Sequence, residues 1–195
     1  MDFPKKVPLP TSPTHQWAHV GEILMCAYFE ECENTVILSY KWRLNTAFNQ
    51  YPFGMDLLAF DLSVSPPKIY AVAVKTSHGS KGGKKLSAIN ESIIELKKYL
   101  QEEKLDDDLE IISANLHTDE KYRDTFKAWY DPYTQGLPED KPELIPVPGI
   151  VIDEDDWIDD YALPAISTDF GTKGIVRVLC IHKFQDLVTE TYSRV

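Results

Sequence analysis

The strongest constraint in the chain is a pair of short apolar runs with a rigid turn between them. Gly54-Met-Asp-Leu-Leu-Ala-Phe-Asp-Leu62 is followed, across Ser63-Val-Ser-Pro-Pro67, by Lys68-Ile-Tyr-Ala-Val-Ala-Val-Lys-Thr-Ser77. Runs of this length, bounded by a Ser/Pro cluster, predict a β-hairpin. Strand side chains alternate, so Ala71, Ala73 and Lys75 share one face while Tyr70, Val72 and Val74 share the other. A lysine that closes an apolar strand needs a polar partner. Asp56, at the start of the neighbouring run, is the candidate.

The remaining pattern predicts helices and strands packed around that hairpin. Residues 1–14, rich in proline, read as an extended leader. His15 to about Glu31 reads as a helix, with Trp17, Val20, Leu24, Ala27 and Tyr28 at helical spacing. Thr35 to Trp42 reads as a strand. Ser87 to about Lys104 carries the clearest helical repeat, Ile89, Ile93, Leu96 and Leu100. Glu95 falls on its solvated side, and Asp106-Asp-Asp108 ends it. Leu109 to Asn115 then reads as a strand, and Asp119 to about Trp129 as a helix with Tyr122, Phe126 and Trp129 on one stripe. Tyr130 to Pro148 reads as a long loop punctuated by prolines. Gly149–Ile152 and Ile175–Ile181 look like strands, and Phe184 to Tyr192 is a final amphipathic segment. This order predicts one α/β domain with a mixed central sheet flanked by helices. Residues 15–130 form its core, and 131–195 an extension that packs on the core.

Composition narrows the function classes. The net charge of −11 counts against a free-standing nucleic-acid binder, whose affinity comes from neutralised phosphates. No apolar run approaches the ~18 residues of a membrane span, and no signal peptide is evident behind Met1. Cys26, Cys32 and Cys180 are widely spaced and odd in number, which suits a reduced, cytoplasmic compartment and core-filling thiols. The stretch from Thr76 to Lys85 gathers Lys81, Lys84 and Lys85 with Gly79, Gly82 and Gly83, beside Ser77. Lysines neutralise phosphate, and glycines let backbone N–H groups approach it. The other reading of this stretch is an ordinary solvated loop. Asp153 to Asp160 is densely acidic without an EF-hand spacing. It reads as a solvated loop or as a docking surface for a basic partner. His15 and His19 are four apart on a helix, but a third zinc ligand is not evident.

The hairpin resembles the core of the PD-(D/E)XK nuclease superfamily, a restriction-endonuclease-like α/β fold. In that superfamily an acid at the start of one strand is followed, one strand later, by acid-x-lysine. Asp56 matches the first acid and Lys75 the lysine. Glu22 matches the glutamate that many members carry on the first core helix, although a surface glutamate is the plainer alternative. Gly21-Glu22, Phe53-Gly54-x-Asp56 and x-Val-Lys75 look most like HamA-type effector nucleases of bacterial Hachiman anti-phage defence, over roughly residues 15–115. The resemblance implies a DNA endonuclease that uses Mg²⁺ or Mn²⁺, held by Asp56 and Glu22, and works with a helicase subunit of the same defence system. The place of the Thr76–Lys85 stretch directly after Lys75 favours Lys81, Lys84, Lys85 and Ser77 as nucleic-acid-binding residues over the solvated-loop reading.

One position departs from the pattern. The second acid is replaced by Ala73, which cannot hold a metal. Three explanations stand side by side: the alanine is an introduced change; the acid has moved to the following helix, where Glu91 is the candidate; or the chain is a pseudo-nuclease that binds without cutting. The function expected is therefore a metal-dependent DNA endonuclease, inactive as written if position 73 is needed. The alternative is a non-catalytic acidic adaptor or immunity-type protein that docks through Asp153–Asp160.

Overall fold

Two mostly buried runs, Lys68–Ser77 and Glu143–Asp153, lie side by side in the middle of a four-stranded sheet. Near-continuous apolar strands of this kind must be covered on both faces. The computed structural model describes residues 10, 12–39, 54–77, 83–116, 118–157 and 175–193. Their order is α1 (Pro13–Cys32), β1 (Leu57–Asp61), β2 (Lys68–Ser77), α2 (Gly83–Gln101), α3 (Leu105–Ala114), α4 (Glu120–Tyr133), β3 (Glu143–Asp153), β4 (Arg177–Ile181) and α5 (Phe184–Ser193). Short 3-10 turns occupy Pro138–Asp140 and Glu154–Asp156. The sheet order is β1-β2-β3-β4. β1 runs antiparallel to β2, and β2, β3 and β4 are mutually parallel, so the sheet is mixed and the fold is α/β.

Alternation along the strands sorts the core into two layers. Leu57, Ala59, Val72, Val74, Val147 and Val151 pack with Trp17, Val20, Met25 and Phe29 of α1 and with Phe184 and Val188 of α5. Leu58, Phe60, Ile69, Ala71 and Ala73 pack on the other side with Leu96 and Tyr99 of α2, Leu109 and Ile112 of α3, and Phe126 and Trp129 of α4. Trp17 meets Phe184 edge-on at 4.7 Å, which seats α5 against α1. Arg177 Nε donates to Glu33 Oε1 at 2.6 Å, fastening β4 to the end of α1. That guanidinium holds the Glu33 carboxyl below the usual range.

Several expectations need correction. Leu109–Asn115 is not a strand but most of α3. Asp106, Asp107 and Asp108 open that helix rather than close the one before it, because carboxylates in a first turn favour the positive end of the helix dipole. Leu109 and Ile112 are buried one turn apart, and this helical spacing outweighs the β-branched run. Thr35–Trp42 is not a strand over its described part. Only Val36 pairs, by a two-bond bridge to Phe60 at 2.9 and 3.0 Å. The Thr35 amide and hydroxyl both go to the Phe29 carbonyl of α1, at 3.3 and 2.7 Å, instead of to a neighbouring strand. Residues 40–42 lie outside the described residues.

The proline-rich stretch before Gly149 is no loop from residue 143 onward, because it is the first half of β3. Pro146 and Pro148 face Ala71 and Ala73 in the register with β2. β4 joins the other edge only at Gly149. Before that point no described strand pairs with this edge of β3, and a strand tolerates a residue without N–H on such an edge. Of the three thiols, only Cys26 fills the core; Cys32 and Cys180 are exposed.

α1 crosses the sheet at very short range. A Cβ added at Gly21 would lie 2.2 Å from Thr76 Cγ2. In an open helix interior, alanine would stabilise by about 1 kcal/mol over glycine, but overpacking of this kind costs about 1–3 kcal/mol. Gly21→Ala should therefore lower the midpoint of urea unfolding. In a Thr76→Ser background, which lacks that methyl, the same change should raise it. A stabilising Gly21→Ala in the unmodified chain would contradict the packing described.

Candidate active site

The polar groups singled out in the hairpin converge on the last turn of β2. Asp56 lies one residue before the first β1–β2 pair, Leu57 with Val72. Its Oδ2 accepts the Val74 backbone N–H at 2.8 Å. The carboxylate thus carries the ladder one step beyond the point where β1 begins. This fixes it between Ala73 and Lys75. The approach to Asp56 is held as well: Asp108 of α3, buried at 1% exposure, accepts the Gly54 N–H at 2.9 Å through Oδ1. Burial and the neighbouring Asp108 push the Tyr99 phenol far above its ordinary range.

Lys75 points to α2, where its ammonium is bonded to the Glu95 carboxylate. Both side chains stay partly open, at 27% and 33% exposure, so the pair is in reach of solvent. Three residues earlier on α2, the fully buried Ser92 donates its hydroxyl to the Ala73 carbonyl at 2.8 Å. Ala73 itself has no exposed surface. Helix and strand therefore touch at Ala73, with the Lys75–Glu95 pair just beyond.

Glu22 is buried on α1, the helix that covers the opposite face of β2. It follows Gly21, which abuts Thr76, the residue after Lys75. Its charge is felt at Cys26, whose thiol is pushed up mainly by burial, and at Tyr192, pushed up to about 12 for the same leading reason. Glu91 is exposed and accepts the Ser87 hydroxyl at 2.7 Å. The structure brings Glu95, not Glu91, to Lys75. Ser77 is buried at the end of β2. Lys84 and Lys85 fall in the first turn of α2, and Lys81 lies outside the described residues.

Sequence reasoning missed Glu95 and Asp108. Ser92 within the apolar stripe of α2 was the available signal for Glu95: a buried polar residue marks where a helix meets backbone, and its i+3 neighbour flanks the same seam.

Other groups are placed elsewhere. Glu154–Asp156 forms an exposed acidic turn with Glu154 beside His182 at 3.1 Å; residues 158–160 lie outside the described residues. His19 Nδ1 is 2.5 Å from the Tyr192 hydroxyl, and burial lowers its pKa. A cavity of about 540 Å³ is lined by Asp106, Asp107, Glu110, Tyr130 and Tyr133 among others. It shares no residue with the Asp56–Lys75 site, and its acids repel phosphate.

The donors at the end of β2 are oxygens, which suit a hard cation such as Mg²⁺ or Mn²⁺. Among the described residues no three acids, histidines or cysteines are gathered closely enough to hold a metal. Mg²⁺ commonly takes one or two carboxylates and completes its shell with water and substrate phosphate. The residues fit an ion shared with a substrate rather than a closed protein cage.

Asp56 has a structural and a chemical part to separate. Asp56→Ala should destabilise by about 1–3 kcal/mol, because it leaves the Val74 N–H without that acceptor. Asp56→Asn keeps an acceptor oxygen and should unfold within about 1 kcal/mol of the parent while removing the charge. Equal losses in the two variants, read by thermal unfolding, would mean that charge rather than the hydrogen bond holds Asp56.

Neither the curated proteins nor the solved structures contain a match to the chain. The family model of HamA aligns with residues 4–188, nearly the whole length. By that match the chain belongs to the HamA family.

Proposed function

We propose that the chain is an effector of Hachiman anti-phage defence that acts on DNA at the end of β2 as a metal-dependent endonuclease. One observation carries the reading. In a HamA-family chain, the Asp56 carboxylate is bonded to β2 at Val74, directly beside Lys75. An acid just before β1 and a lysine on β2, held this way, suit phosphodiester chemistry. The ammonium of Lys75 orients the attacking water or stabilises negative charge on the phosphate. Asp56 would hold Mg²⁺ or Mn²⁺, with Glu22 of α1 helping to orient the ion or the attacking water. A bound divalent ion would supply a water of lowered pKa and charge stabilisation at the phosphate.

Net charge supports a division of labour. A chain with a net charge of −11 gains little affinity from neutralising phosphates. A helicase partner that grips DNA would supply what this chain lacks. Ala73 supports the second reading, a member of the family that binds without cutting.

The test uses the full chain together with its native partner, isolated from its own operon. The nuclease reading expects DNA cleavage that Mg²⁺ or Mn²⁺ supports, EDTA stops and Lys75→Ala removes. If no DNA is cut with either ion, the chain is a binding module. Salt-sensitive capture of a basic partner, lost on neutralising Asp155, Asp156, Asp159 and Asp160, would then identify an adaptor.

A further inference from the structure

A site with alanine in place of an acid has either lost a carboxylate or receives one from another element. The seam between α2 and β2 bears on which. Ser92 is fully buried and its hydroxyl donates to the Ala73 carbonyl at 2.8 Å. A side chain as short as serine reaches a strand carbonyl only if the helix lies almost on the strand. Ala71 and Ala73, both buried under this layer of helices, are small enough to permit it. Residues three and four apart share a helix face, so Glu95 continues the seam from Ser92 toward the end of β2. There its carboxylate meets the Lys75 ammonium.

Ala73 is fully buried in the layer that holds Leu96 and Tyr99 of α2, so a glutamate on β2 at 73 would have to displace that packing. With alanine there, α2 packs on the strand and presents the Glu95 carboxylate to Lys75 from the helix side. We propose that Glu95 is the second acid of this site, delivered by α2 in place of a strand residue at 73, so that Asp56 and Glu95 act on one divalent cation with Lys75 beside them. The inference rests on the nuclease reading above and deepens it. Glu91, one turn earlier, is exposed and occupied by Ser87, and has no part in it. A purely structural alternative makes Glu95 a tether that only clips α2 to β2.

Mn²⁺ titration of the ¹⁵N-labelled full chain separates these without relying on activity, because the ion broadens amide signals near its site even when it binds weakly. The proposal expects broadening at Asp56, Val74 and Lys75 and also across the Glu95 turn of α2. Losing even an outer-shell partner of a metal costs about 10–100-fold in affinity, so Glu95→Gln should need at least about tenfold more Mn²⁺ for the same broadening at Val74. Glu91→Gln should behave like the parent. The spectrum itself reports whether each variant folds. If Glu95→Gln does not, Glu95→Asp, which keeps the charge and withdraws it by one methylene, should fold and still bind more weakly. Ala73→Glu should lower the thermal midpoint without tightening Mn²⁺ binding. Broadening at Val74 that Glu95→Gln leaves unchanged overturns the role of Glu95 while the nuclease reading stands. Tighter binding in a fully stable Ala73→Glu variant overturns it too. A parent chain with no broadening near Asp56 overturns both.

Discussion

Close approach to β2 from both faces is the constraint on which this structure depends. α1 reaches it because residue 21 is glycine, with no room for a Cβ beside Thr76. α2 reaches it because Ala71 and Ala73 are small and Ser92 can bond directly to the strand. Interiors pack at crystal-like density, so small residues at a crossing set where a helix lies along a strand. Both crossings fall in the second half of β2. As a result the polar residues that follow or flank them, Glu22 after Gly21 and Glu95 after Ser92, are brought toward the same stretch of strand.

That stretch is also where the sheet pairing changes. β1 ends its ladder with β2 at Leu57–Val72, while β3 continues alongside β2 as far as Ser77. Among the described residues, β2 is therefore paired from Val74 onward on its β3 side alone. The Asp56 carboxylate takes the Val74 backbone N–H just past the end of the β1 ladder, and a buried backbone donor requires some such partner. The geometry gives Asp56 a structural reason to be acidic or amide-like. It gives Lys75, partly open beside it, room to face solvent. Asp108 on α3 extends the same logic one step outward by holding the Gly54 amide.

How much of this was legible depended on whether a residue's role was local. The hairpin, α1, α2, α4 and α5 declared themselves through period and turn chemistry, and Asp56 and Lys75 followed from the hairpin. The α3 segment misled because Leu109-Glu-Ile-Ile carries β-branched residues, while the evidence for a helix lay just before it in Asp106–Asp108. β3 misled because proline normally argues against a central strand. Its tolerance for Pro146 and Pro148 depends on where β4 begins, which is a tertiary fact. Glu95 was hidden for a similar reason. On an isolated α2 it sits among solvated charges, and only the tight seam at Ala73 turns its side chain toward Lys75.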